Sequence, residues 1–113
     1  PTPLSAFALF SSVAVLLGGA GQSNYAASKA ALTNLTLSFS RLLAPSVKVN
    51  AVAPSLIMFN QGDSEAYREK TLKKSLMGIE PGAEVAVATL QFLLDTPYIT
   101  GRTLPLDGGR HLV

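Results

Sequence analysis

The sequence predicts an α/β chain built on a parallel sheet, and three observations carry the prediction. Apolar or β-branched runs alternate with longer Ala/Leu-rich stretches of helical period in the order β-α-β-α-α-β. The connections between strands are long enough to return each strand in the same direction, as a doubly wound sheet requires. The first run, Leu4 to Val13, is almost continuously apolar, which suits a strand buried on both faces.

Each element follows from its residues. Gln22 to Leu43 is a long helix that Pro45 closes. Val47 to Ala53 is rich in β-branched residues and stops at Pro54, giving a second strand that feeds a loop from Ser55 to Asp63. Ser64 caps a helix from Glu65 to about Leu76, with acids early and Lys70, Lys73 and Lys74 late, in accord with the helix dipole. Its apolar face is thin, which suits a segment over a cleft. Pro81-Gly82 breaks the chain, Ala83 to Leu94 forms another apolar helix, and Thr103 to Leu106 is a last short strand.

Composition narrows the chemistry. Hydrophobic residues make up 48% of the 113 and charged residues 14%, so some apolar surface is expected to be covered by a partner or by more chain. A net charge of +2 with scattered Lys and Arg argues against nucleic acid or anionic lipid as a partner. There is no cysteine and a single histidine, His111, so neither disulfides nor a metal cage is expected. Serines and glycines interrupt the longest apolar run, which is too short for a bilayer span. A cytoplasmic location is the expectation.

The candidate chemistry lies in Tyr25-Ala-Ala-Ser-Lys29, 13 residues after Ser12. Four residues of helix rise about 6 Å over slightly more than one turn, so Tyr25 and Lys29 project from one face. An ammonium there favours phenolate and draws a tyrosine toward the range useful for proton transfer. Ser12, at the end of a strand, can bond the same substrate atom. Gly18, Gly19 and Gly21 lack the spacing of a phosphate-binding turn and read as loop glycines. Asn50 reads as a structural amide that satisfies nearby backbone. Asn34-Leu-Thr36 matches a glycosylation acceptor by coincidence.

Phe7 to Val13, Gly18 to Gly21, Tyr25 to Lys29, Val49-Asn-Ala-Val-Ala-Pro54, Ile99-Thr-Gly101 and Asp107-Gly-Gly109 come in one order that resembles the carboxy-terminal half of the short-chain dehydrogenase/reductase family. The resemblance implies one half of a Rossmann-like doubly wound domain over residues 1–113, without the amino-terminal glycine-rich turn that anchors a dinucleotide. It implies NADPH as cofactor, with NADH left open. Tyr25 then donates a proton to the reduced substrate, Lys29 lowers its pKa and bonds the nicotinamide ribose, and Ser12 holds the substrate. Pro54, Ser55 and Ile57 match the family's Pro-Gly-x-Ile stretch, where the isoleucine backbone meets the nicotinamide carboxamide. Ser55 replaces the usual glycine, and Phe59 stands where many members have a threonine. Asp107-Gly-Gly109 is a fold signature rather than chemistry. The family's asparagine relay has no counterpart here.

From Val47 onward, Val49 to Asn60, Lys74 to Met77 and Leu106 to His111 are similar to dihydromonapterin reductases, relatives of the pteridine reductases. Leu4 to Ala14 and Gly18 to Tyr25 instead look like polyketide synthase ketoreductases. The resemblance therefore implies an NADPH-dependent reductase acting on a dihydropterin, a carbonyl reductase as runner-up, and a non-catalytic truncated fragment or assembly module as a third reading. Relatives pair the helix over residues 25–43 across a two-fold axis, so a homo-oligomer is expected.

Overall fold

The computed structural model describes residues 5–10 and 22–113, with side chains described from Lys29 onward. Strand β1 (Ser5–Phe10), helix α1 (Gln22–Leu43), strand β2 (Val47–Pro54), helix α2 (Glu65–Leu72), helix α3 (Ala83–Asp95) and strand β3 (Thr103–Leu106) follow in the expected order, and a short 3-10 turn covers Arg110–Leu112. The three strands form a parallel sheet in the order β1-β2-β3. Ser5 pairs with Val47 and Phe10 with Val52, while Ala51 pairs with Thr103 and Pro54 with Leu106. Among the described residues β1 pairs only with β2.

The core centres on β2. Lys48 through Val52 are all buried, so the strand is covered on both faces. Helix α1 packs on β2, while α3 packs on β2 and β1. On α1 the positions Leu32, Thr36, Ser40 and Leu43 turn inward at helical spacing, and the Thr36 hydroxyl donates to Leu32 O at 2.8 Å. Burial of Thr36 argues against its use in a glycosylation site. Leu35, Phe39 and Leu42 lie on the exposed side, Leu42 at 73% exposure.

Two polar residues of β2 lock neighbouring chain to the sheet. Lys48, 5% exposed, runs to the end of α3, where its ammonium donates to Leu93 O and Thr96 O at 2.7 Å each and to Leu94 O at 3.3 Å. These are carbonyls that a helix terminus leaves without intrahelical partners. Asn50 donates through Nδ2 to Ile99 O at 2.9 Å and accepts from Arg102 N at 3.1 Å, the structural role its position suggests. Gly101 N donates to Val49 O, and its φ of 75° leaves the backbone close to the Ser40 side chain.

Helix α2 stops four residues before the expected end. Lys73 is its C-cap, and Lys74 N and Ser75 N donate in tighter i→i−3 fashion to Thr71 O and Leu72 O. The competing bond comes from the sheet end, where Met77 N donates to Gly108 O at 3.0 Å. The Ser64 cap is as expected, accepting from Tyr67 N at 3.1 Å, and α2 buries none of its residues.

Candidate active site

The carboxyl ends of β2 and β3 hold a loop that several independent bonds fix. Ser55 N donates to Leu106 O at 3.0 Å, which carries the ladder one step beyond β2. Ile57 O accepts from Gly82 N at 2.8 Å, and Phe59 N donates to a Glu80 carboxylate oxygen at 2.7 Å. Gly82 sits at φ 87° as the N-cap of α3, so a side chain there is strained, and a Cβ would also crowd the Glu84 carboxylate. Arg68 reaches over the Phe59 ring at 5.2 Å and donates to Asn60 O at 2.8 Å, fixing the outer part of the loop. The Ile57 N–H has no acceptor among the described residues.

The predicted site residues fall into two groups. Pro54 ends β2, and Ser55 and Ile57 follow it in this tied-down loop. Tyr25 and Lys29 lie one helical turn apart on α1, where Lys29 is exposed and the Tyr25 side chain is outside the described residues. Ser12 and the loop glycines Gly18, Gly19 and Gly21 also lie outside them. Among the described residues no group of three His, Cys, Asp or Glu side chains could hold a metal ion.

Beside the loop opens a cleft of about 380 Å³, flanked by Thr71, Lys74 and Ser75 of the stretch that the sequence places over a cleft. Leu56, Met77, Ile79, Val85 and Leu106 supply apolar wall, while Ser55, Lys74, Asp107 and Arg110 add polar groups. Its volume and mixed lining suit a small organic ligand. The turn Asp107-Gly-Gly109 builds one side. Asp107 Oδ1 accepts from Gly109 N at 3.1 Å, and Gly108 and Gly109 take φ values of 60° and 81°. A Cβ on Gly108 would lie 3.2 Å from Ser75, and one on Gly109 3.3 Å from Leu76, so the two glycines let the Ser75–Met77 turn close against the sheet end. Arg110 then crosses back to Ser55, with Nη1 donating to Oγ at 3.1 Å. Asp107 thus has the structural role expected of it, and the missed contributors are Lys74 and Arg110. Their only signal in the sequence was membership of the stretches Lys74 to Met77 and Leu106 to His111.

A family model described as enoyl-(acyl carrier protein) reductase matches residues 4–111. The chain belongs to the short-chain dehydrogenase/reductase family. The dihydromonapterin reductase of Klebsiella pneumoniae is 60% identical over 88 residues, which are 78% of this chain and 37% of that protein. An Escherichia coli dihydromonapterin reductase is 58% identical over the same shares. The structure also resembles the alternative dihydrofolate reductase FolM from Brucella suis in complex with NADP, with a TM-score of 0.78 and 26% identity over 100% of this chain and 46% of that one. A 3-hydroxyacyl-CoA dehydrogenase type-2 from Mycobacterium avium gives a TM-score of 0.76 and 29% identity over 92% of this chain and 42% of that one. The chain therefore spans less than half the length of these relatives.

Proposed function

We propose that the chain is the carboxy-terminal part of an NADPH-dependent reductase that acts on a dihydropterin. The observation that carries this reading is the 58–60% identity to dihydromonapterin reductases across 88 residues. A loop held rigid at the carboxyl end of the strands supports it, because ligands of open parallel sheets bind there. The residues fit a nicotinamide dinucleotide. Ile57 N–H is a free donor for the carboxamide among the described residues, Pro54 and Ser55 fix the approach of the backbone, and Lys29 is exposed to meet the ribose hydroxyls. The amino-terminal half of such a domain would supply the anchor for the pyrophosphate.

A nicotinamide held by Ile57 N–H and Lys29 would supply hydride to C6 of the dihydropterin N5=C6 bond, its oxidation from NADPH to NADP⁺ balancing the reduction. Tyr25 delivers the proton to N5, directly or through water. Lys29, one turn along α1, favours the phenolate that remains, so the tyrosine gives up its proton more readily. Ser12 orients the substrate. Ser55 N–H and Ile57 O are both engaged by protein partners, so the loop meets its ligand already ordered, which lowers the cost of association.

A second reading, a carbonyl reductase in which Ser12 and Tyr25 bond a ketone oxygen, is favoured by serine at position 12, where pteridine reductases commonly place an aspartate. The likeness to a 3-hydroxyacyl-CoA dehydrogenase points the same way. The two readings separate when the full-length protein is supplied with NADPH and either a dihydropterin or a ketone. Oxidation of NADPH by the dihydropterin supports the first, and oxidation by the ketone alone supports the second. The exposed side of α1 is proposed to pair with a second copy, giving a homo-oligomer.

A further inference from the structure

Two bonds outside the sheet ladder tie the loop after β2 to the segment that leads into α3. Gly82 N donates to Ile57 O at 2.8 Å and Phe59 N donates to the Glu80 carboxylate at 2.7 Å, so the pair brackets Met58. The ring of Pro81 restricts the backbone between the two anchors, which keeps their spacing set. The Gly82 tie runs from backbone to backbone, whereas the Phe59 tie depends on one side chain. Helix α2 holds the Phe59 ring separately: Tyr67 meets it edge-on at 6.2 Å, and the Arg68 guanidinium lies 5.2 Å from its centre while donating to Asn60 O at 2.8 Å and to Asp63 O at 3.2 Å. Ties from both flanking segments therefore converge on Phe59, two residues beyond Ile57, whose N–H has no acceptor among the described residues.

We propose that Glu80 is a positioning residue for the dinucleotide, which holds Phe59 N so that the Ile57 N–H stays where the nicotinamide carboxamide meets it. The inference rests on the reductase reading and adds to that site a residue that does not touch the ligand. Glu80 is exposed and its bond is local, so its loss changes the order of the loop more than the stability of the fold. A loop that spends part of its time in another arrangement lowers the apparent affinity by the fraction of molecules able to bind. A carboxylate acceptor suits the task, because a bond to a charged group is stronger than its neutral counterpart.

The test uses the full-length protein with Glu80→Ala and Glu80→Gln, each checked for folding by circular dichroism. Calorimetry measures NADP⁺ and adenosine 2′,5′-bisphosphate, which is the cofactor without its nicotinamide half. Glu80→Ala is expected to weaken NADP⁺ binding about fivefold, the scale of one hydrogen bond, and to leave the bisphosphate unaffected. In the ligand-free protein it speeds amide exchange at Phe59 with little change in melting temperature. Glu80→Gln keeps a side-chain carbonyl for Phe59 N and recovers most of the affinity and protection. Unchanged NADP⁺ binding in Glu80→Ala, an equal loss for both ligands, a loss in Glu80→Gln as large as in Glu80→Ala, or a large drop in melting temperature overturns the positioning role. Failure of the parent protein to bind NADP⁺ overturns the cofactor reading and this inference with it, whereas parent binding that the alanine variant matches overturns the inference alone.

Discussion

The Lys48 ammonium donates to Thr96 O at 2.7 Å from a side chain that is 5% exposed, so a strand residue closes the end of the helix packed over its sheet. Together with the bonds to Leu93 O and Leu94 O, it satisfies the carbonyls where α3 ends. Charged hydrogen bonds of this kind contribute more than neutral ones, and removing the donor leaves buried acceptors without partners. Lys48→Met, which keeps the stem and removes the ammonium, is therefore expected to cost roughly 2–3 kcal/mol of stability. Urea denaturation measures it. An unchanged midpoint would contradict the capping role.

Gly109 is expected to tolerate no side chain. At φ 81° an alanine there pays for left-handed backbone, about 1–2 kcal/mol, and its Cβ would also lie 3.3 Å from Leu76. Gly109→Ala should lower the melting temperature and loosen the turn at Ser75–Met77, visible as faster amide exchange at Met77, whose N–H bonds Gly108 O. Protection at Met77 equal to that of the parent chain would count against the glycine pair as the clamp.

In the full-length protein Tyr25→Phe removes a single hydroxyl and should reduce turnover by at least about a hundredfold, the usual scale of general acid catalysis, with the fold intact. Lys29→Ala should lower kcat and raise KM for the cofactor together, since one ammonium is proposed to serve phenol and ribose. Steady-state kinetics on both variants decides the roles. Unchanged kcat in the first, or an effect on neither parameter in the second, refutes them.

The outward side of α1 carries Leu35, Phe39 and Leu42 at 48%, 40% and 73% exposure, while Leu32, Thr36, Ser40 and Leu43 serve the sheet. If a second copy covers that side, Leu42→Glu should shift the sedimentation coefficient toward that of the monomer without unfolding the chain. A parent protein that sediments as a monomer would contradict the helix pairing.

The order of elements was legible because each boundary has a local cause: Pro45 and Pro54 stop what precedes them, Ser64 caps α2, and the β-branched run from Val47 supplies the central strand. The end of α2 was not, since a bond from Met77 to Gly108, 31 residues further on, outcompetes helical continuation at Lys74. Lys48 was equally hidden. In sequence it is one lysine within a strand, and only the position of the α3 terminus shows where its ammonium goes. The loop residues Pro54, Ser55 and Ile57 could be named because they form one short motif. The cleft gathers Leu56, Met77, Val85 and Arg110 from four segments, so no local pattern announces its lining.

The most direct measurement of the central claim follows NADPH oxidation by the full-length protein with 7,8-dihydromonapterin, beside the isolated 113-residue chain and the Tyr25→Phe variant. Turnover in the full-length protein alone is the predicted result, because the pyrophosphate anchor is proposed to lie in an amino-terminal half, and without it the contacts proposed for Lys29 and Ile57 must meet an association cost of several kcal/mol. No dihydropterin turnover by the full-length protein, or Tyr25-dependent turnover by the isolated chain, would contradict the account.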